Sequence, residues 1–313
     1  MQSLLHSLSA VAVILILTAC GYFCSAMGWI KPDAKSFLSK YLMRFAVPVM
    51  CVYSMRANLT QELLKGSWAI LLVPTICSGV LFAAAGFIGK KLGLQPRQNS
   101  VFKMMCAISN AMFIGYSMCR ELFGEVCTPY VMLYYLVNTA YAQFVGVSAI
   151  RRAGGMSGHT AKDAILSFFK TPSIVGVIIG ILLILVDWTP PELVMSCARY
   201  INNTVTPLAL LLSGHIIYEI GLKELRVDRT MAVAMLFRFL AAPALCLALC
   251  ALFGITGLAR DVLVIQTAMP VLTQAVVASA EYGGDEQLAA RGIAVSTIAC
   301  FVVIPVLMLL LGR

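Results

Sequence analysis

The stretch "IQTAMPVLTQAVV", Ile265 to Val277, decides the fold. Its apolar residues suit a membrane helix, yet Pro270 stands at its centre with Thr267, Thr273 and Gln274 around it. Proline removes a backbone hydrogen bond and clashes with the preceding turn, which costs about 3 kcal/mol in a helix interior. Lipid offers no water for the freed carbonyls, so such a break survives only where protein or a wet cavity covers it. A broken, polar-flanked helix inside a bilayer therefore needs a reason.

The rest of the chain supplies the bilayer. Of 313 residues, 60% are hydrophobic and 12% charged, against about 25% charged in an average soluble chain; the mean hydropathy is +0.90. Apolar runs long enough to cross a membrane fall at approximately 7–27, 38–57, 67–89, 101–120, 130–150, 170–188, 196–218, 231–253, 262–280 and 291–311. No segment between them is long enough for a soluble domain. The expected fold is an all-α polytopic membrane protein of ten transmembrane helices.

The net charge of +9 would suit a nucleic-acid partner if it formed a patch. It does not. With ten spans the loops alternate between two faces, and sixteen Lys and Arg residues fall on one face against six on the other. That bias marks the richer face as cytoplasmic. Both termini are then expected outside, with the longest loop, 151–169, inside the cell. The expected location is the plasma (inner) membrane, with lipid as the surrounding partner and no nucleic acid. "LTAC", ending at Cys20, looks like a lipoprotein cleavage site, but no basic residue precedes the apolar run, as a signal peptide requires. The eleven cysteines form no CxxC pair. Cys246 and Cys250 share a helix face, where two thiols are ordinary packing residues. No metal site or disulfide framework is indicated.

The chain also repeats itself. At a constant displacement, Gly21 aligns with Gly180, Trp29 with Trp188, Pro32 with Pro191, Tyr41 with Tyr200, Pro48 with Pro207 and Ser54 with Ser213. Within one residue of that displacement, "ELFGE" from Glu121 meets "EYGGD" from Glu281, Asn110 meets Pro270, and Asn138 and Thr139 meet Ser296 and Thr297. Each half holds five spans, an odd number, so the second enters the membrane from the opposite side. The expected organisation is a first repeat over 1–150, a cytoplasmic linker over 151–169 and an inverted repeat over 170–313. Transporters built this way bind solute near the midplane, where interrupted helices of the two halves meet. Those segments here are "AISNAMFIGYSM" in the fourth span and the opening stretch in the ninth. The break is thus expected to be a binding element.

At these residues the sequence resembles the auxin efflux carrier family. The likeness covers the whole chain and rests on "AVPVM", "SNAMFIGYS", "TPSIVGVIIGILL", "TVTPLALLLSG", "RFLAAP" and "AMPVLTQAVVASAEYGGDEQLAA". The resemblance implies a fold like that of bile-acid sodium symporters and sodium–proton antiporters. Spans 1, 2, 6 and 7 would form a scaffold, and spans 3–5 and 8–10 a moving core in which spans four and nine cross. A homodimer through the scaffold helices is compatible with it. Bacterial members are associated with malonate, malate and similar carboxylates, so a small organic anion is the implied partner. Members usually carry N-x-G-x-x-G-x-P in span four; here Met112 replaces a glycine and Ser117 the proline. Span three lacks the charged residues of the plant carriers, so auxin itself is not indicated.

The candidate substrate-binding residues are Asn110, Gly115, Tyr116, Ser117, Asn138, Thr139, Arg238, Pro270, Thr273 and Gln274. Asn110 reads either as an interhelical hydrogen bond worth on the order of 1 kcal/mol or as a ligand at the crossover, which its pairing with Pro270 favours. Asn138 and Thr139 read as a lining for the crossover or as hydrogen-bonded packing. An arginine inside a span costs at least about 2.5 kcal/mol and faces a bundle interior or cavity. Arg238 is read as a fork for a carboxylate, as a side chain reaching the cytoplasmic face, or as a cap on broken-helix carbonyls. Asn202 and Asn203 are candidates for the scaffold–core boundary, and His215 reads as interfacial. Gly176 and Gly180, four apart, suit close helix packing.

An enzyme would need a nucleophile with its base, a carboxylate pair or a metal cluster within the spans. The mid-span regions hold no Asp or Glu, and His6, His159 and His215 lie near segment ends. No catalytic residue and no cofactor is expected, and no P-loop supports ATP-driven pumping. A channel, a receptor or sensor, and an intramembrane enzyme are the alternatives to a carrier working by alternating access. Coupling to a proton or sodium ion, or uniport, stays open at this stage.

Overall fold

The computed structural model describes residues 2–156, 161–221 and 225–311. His159 of the central loop, Lys223 and Arg313 lie outside them. The described chain is helical throughout, apart from one isolated antiparallel bridge between Ser109 and Val271. Helix α1 (Gln2–Ala26) is followed by α2 (32–58) and α3 (Trp68–Lys91). Then come α4 (Pro96–Ala107), α5 (111–123) and α6 (128–153). A short helix, α7 (Ala161–Phe169), meets α8 (Pro172–Leu185) at a bend of 69°. The chain continues through α9 (Glu192–Ile220), α10 (Arg229–Leu252), α11 (Gly257–Thr267), α12 (Gln274–Tyr282) and α13 (Glu286–Leu310).

Four of these helices are long and apolar enough to cross a membrane: Leu8–Ala26 within α1, α3, α10 and α13. The bent pair α7–α8 makes a fifth if it counts as one span. Of the other apolar runs, those at 101–120 and 262–280 are divided by breaks, whereas α2, α6 and α9 run on without one. The chain is therefore a helical, multi-pass membrane protein.

Two helix pairs make the most extensive contacts: α1 runs along α9, and α8 along α2. Both owe their closeness to glycine. A Cβ at Gly21 would collide with the backbone of Leu211, and one at Gly180 with Met55. Small residues at such contacts let two helix backbones approach, which drives association where lipid removes the hydrophobic incentive. Prolines shape the remaining helices. Pro48 and Pro243 each follow a wide π turn, Leu42–Ala46 in α2 and Phe237–Ala241 in α10. Such a turn absorbs the missing N–H and the ring clash without ending the helix.

Candidate functional site

Two helices stop inside the protein, and their stops face each other. Helix α4 ends at Ala107, after which Ile108 is extended and Asn110 has φ −78 and ψ 68. Helix α11 ends at Thr267, three residues before Pro270. The residue before a proline is steered away from the helical region, so the second break is local in origin. The first contains no proline, and long-range hydrogen bonds hold it open. The Asn110 N–H donates to the Pro270 carbonyl at 2.8 Å. Asn138 of α6 accepts from the Ser109 N–H at 3.1 Å and donates to the Ser109 carbonyl at 2.8 Å. The Ser109 hydroxyl lies 3.0 Å from the Tyr134 hydroxyl. On the other strand, the Val271 N–H donates to the Ser296 hydroxyl of α13 at 2.9 Å. Asn138 and Ser296, the pair aligned by the internal repeat, thus do equivalent work on the two crossing segments.

Arg238 completes the crossing. It is 1% exposed. Its guanidinium donates to the Met105 carbonyl from Nε and Nη2, to the Ile108 carbonyl from Nη2 at 2.7 Å, and to the Thr267 carbonyl from Nη1 at 3.2 Å. A guanidinium has five N–H donors, and these bonds use four. The carbonyls belong to the C-terminal ends of α4 and α11, which carry unsatisfied acceptors and partial negative charge. One buried cation therefore caps both broken helices. Of the three readings of Arg238, this geometry is that of a cap on broken-helix carbonyls; four of its five donors are engaged so, and it is not among the residues lining the cavity described next.

The cavity lies on the opposite side of the crossing and encloses about 530 Å³. Its floor is the start of α5 and of α12: Asn110 to Phe113 and Leu272 to Gln274. Asn110 caps α5 by accepting from the Phe113 N–H at 3.3 Å, and its amide donates to the Thr273 hydroxyl at 3.2 Å. The first amides of a helix have no intrahelical acceptor and carry partial positive charge. Two such ends converge on one space. Helix α6 contributes Tyr135, Asn138, Thr139 and Gln143 to the walls, and the α7–α8 bend contributes Lys170 and Thr171. No acidic side chain is among the described residues lining it.

Of the ten candidate residues, Asn110, Asn138, Thr139, Thr273 and Gln274 line the cavity. Gly115, Tyr116, Ser117, Arg238 and Pro270 do not. Gly115 is where a Cβ would run into the Gln266 side chain. Tyr116 is fully buried and donates to Asn202 Oδ1 at 3.1 Å. Ser117 donates back to the Phe113 carbonyl of its own helix at 2.8 Å, and Pro270 accepts from Asn110 within the crossing. Farther along α5, Arg120 bonds Asn203 at 2.9 Å and Glu125 at 2.7 Å. A second concavity of about 460 Å³ opens there, lined by Arg120, Glu121, Asn203 and Thr206. Along α5, Tyr116 falls between Phe113, which lines the first space, and Arg120, which lines the second. His215 is buried, with Nδ1 2.8 Å from the Ser25 hydroxyl and Nε2 3.2 Å from Glu219. It joins α1 to α9.

Two buried residues carry no signal in the sequence reading. Gln266 sits in the quoted stretch, yet its place against Gly115 follows from the fold; its amide nitrogen faces Cys119 Sγ at 3.6 Å. Asp261 is completely buried at the fifth position of α11 and paired with Arg260 at 2.7 Å. It lies at the edge of an apolar run, where a neighbouring arginine suggests an interfacial pair.

Buried breaks facing a largely apolar cavity with a few polar groups at its floor, within a helical membrane protein, are the arrangement of a transport protein. Residues 6–308 match the family described as membrane transport protein, and the chain belongs to that family, the auxin efflux carrier family of the motifs above. It is similar to an uncharacterized transporter of Methanocaldococcus jannaschii, 23% identical over 303 residues, covering 95% of this chain and 96% of the relative. The protein is a membrane transporter and not an enzyme.

Proposed function

We propose that the protein carries a small organic anion, a carboxylate of the malonate or malate kind, across the plasma (inner) membrane by alternating access. The observation that carries this reading is the polarity of the crossing. Both half-helix N-termini face the cavity, and both C-termini face away, neutralised by Arg238. A carboxylate entering the cavity loses water, which is costly unless hydrogen bonds replace it. The amides at the starts of α5 and α12, with the Asn110, Thr139 and Thr273 side chains, supply donors for that purpose.

On this reading the chain has ten crossings, with inverted halves over 1–150 and 170–313 joined by 151–169. The exchange of partners between α1–α9 and α8–α2 supports it, because first-with-seventh and sixth-with-second are the same pair under such a repeat. So does the matching role of Asn138 and Ser296. The cavity lies on the side of Lys170 and Ser39, the basic, cytoplasmic face, so the conformation is open inward. The Tyr116–Asn202 contact closes the way to the other face. Coupling to a proton or sodium ion is decided by the same assay as transport: uptake of labelled malonate, malate and lactate into proteoliposomes, with proton and sodium gradients imposed separately. Saturable uptake of at least one carboxylate is expected. Folded protein that takes up none, or passes anions without saturation, overturns the proposal.

A further inference from the structure

In the sequence, Lys170 is one of many basic residues that orient the chain in the membrane. The structure gives it a second position. It follows α7 directly at the 69° bend into α8, where its own N–H donates to the Leu166 carbonyl at 3.0 Å and the Thr171 N–H to the Phe168 carbonyl at 3.0 Å. Those bonds fix the backbone that carries the side chain. The side chain is exposed and lines the cavity beside Ser39, Gln143 and Thr171. Among the described lining residues it is the one charged group, and none of the ion pairs of the described residues involves it.

We propose that Lys170 is a specificity-determining residue, which makes the transporter select solutes by net negative charge at the mouth of the cavity. This rests on reading the cavity as an anion site. An exposed ammonium in water is a weak direct ligand, but low-dielectric walls focus its field into the opening and raise the local concentration of counter-charge. The floor of the cavity, made of partial charges, recognises one carboxylate by hydrogen bonds. Lys170 acts on the charge of the whole solute.

Coulomb energy is proportional to the product of the charges, and this gives the inference a quantitative form. Removing one positive charge must weaken a dianion by the square of the factor for a monoanion. If Lys170→Gln weakens a monocarboxylate about threefold, it weakens a dicarboxylate about ninefold. Lys170→Glu changes the charge by two, so each factor squares again. Lys170→Arg keeps the charge and leaves both solutes near wild type. A packing role for the lysine stem would follow side-chain size and not solute charge.

The test measures half-saturation for labelled lactate and malonate in membrane vesicles, at alkaline pH where malonate is a dianion. Wild type and the three variants are compared at low and high salt, with thermal stability as a folding control. The expected result is a larger loss for malonate than for lactate, deeper for Glu than for Gln, shrinking at high salt and confined to inside-out vesicles. Equal losses for the two anions, or none, overturn the proposal. If wild-type protein takes up neither anion, the anion reading falls and this one with it, a result read before any variant is made.

Discussion

In the Arg238→Gln variant, the carbonyls of Met105, Ile108 and Thr267 lose a charged donor at a buried position. A hydrogen bond to a charged group contributes about 1.5–3 kcal/mol, and an orphaned buried acceptor costs about 1–3 kcal/mol. A cation at a helix C-terminus adds about 0.3–2 kcal/mol, and here one cation serves two. The contributions are not additive, and the glutamine amide can recover a single carbonyl. Two acceptors then stay unpaired, which at about 1–3 kcal/mol each places the loss at about 2–6 kcal/mol. Arg238→Lys keeps the charge but not the fork, so its loss is smaller, about 1–3 kcal/mol. Thermal unfolding in detergent, followed by loss of the monodisperse species, should rank wild type above Lys and Lys above Gln. Both variants unfolding with wild-type midpoints while anion uptake is abolished would refute the capping role and make the guanidinium a ligand.

Asn138→Ala removes three bonds to Ser109, two of them to its backbone, and Ser296→Ala removes one from the Val271 N–H and one to the Ile293 carbonyl; at about 1 kcal/mol per bond, Asn138→Ala should lower the unfolding midpoint farther than Ser296→Ala. Gly115→Ala places a methyl against Gln266 and Asn110 and should cost about 1–3 kcal/mol by overpacking; combining it with Gln266→Ala should restore stability, and additive losses in that double variant would contradict the contact. Asn110→Ala removes a helix cap worth about 1 kcal/mol and should reduce uptake in protein that still folds, whereas loss of folded protein would assign Asn110 to packing alone.

The sequence makes the bilayer, the paired breaks and the pairing of Asn138 with Ser296 readable because each has a local cause. Apolar length marks spans, Pro270 marks a break, and a repeated register brings corresponding positions together. Asn110 is legible for the same reason, an amide between two apolar half-helices. Arg238 is less so. Its three readings share one sequence signal, an arginine within a span, and only the positions of α4 and α11 turn it toward carbonyls and away from solute. Lys170 is read as an orienting charge because charge counting is blind to the bend that brings it to a cavity. Asp261 lies at the edge of an apolar run, and its burial depends on helices far away in the chain. Residues whose role comes from a neighbour distant in sequence are the ones that the periodicity of a single chain does not reveal.

The central claim is that a carboxylate occupies the cavity at the crossing. Gln143 lines that cavity and none of the described lining residues is a cysteine, so Gln143→Cys introduces a reporter there. Its rate of modification by a membrane-impermeant thiol reagent, applied to inside-out vesicles with and without malonate or its neutral diamide, tests the claim most directly. The account predicts that malonate slows labelling in a saturable way and the diamide does not; equal labelling under all three conditions, in protein that still transports malonate, would place the solute elsewhere.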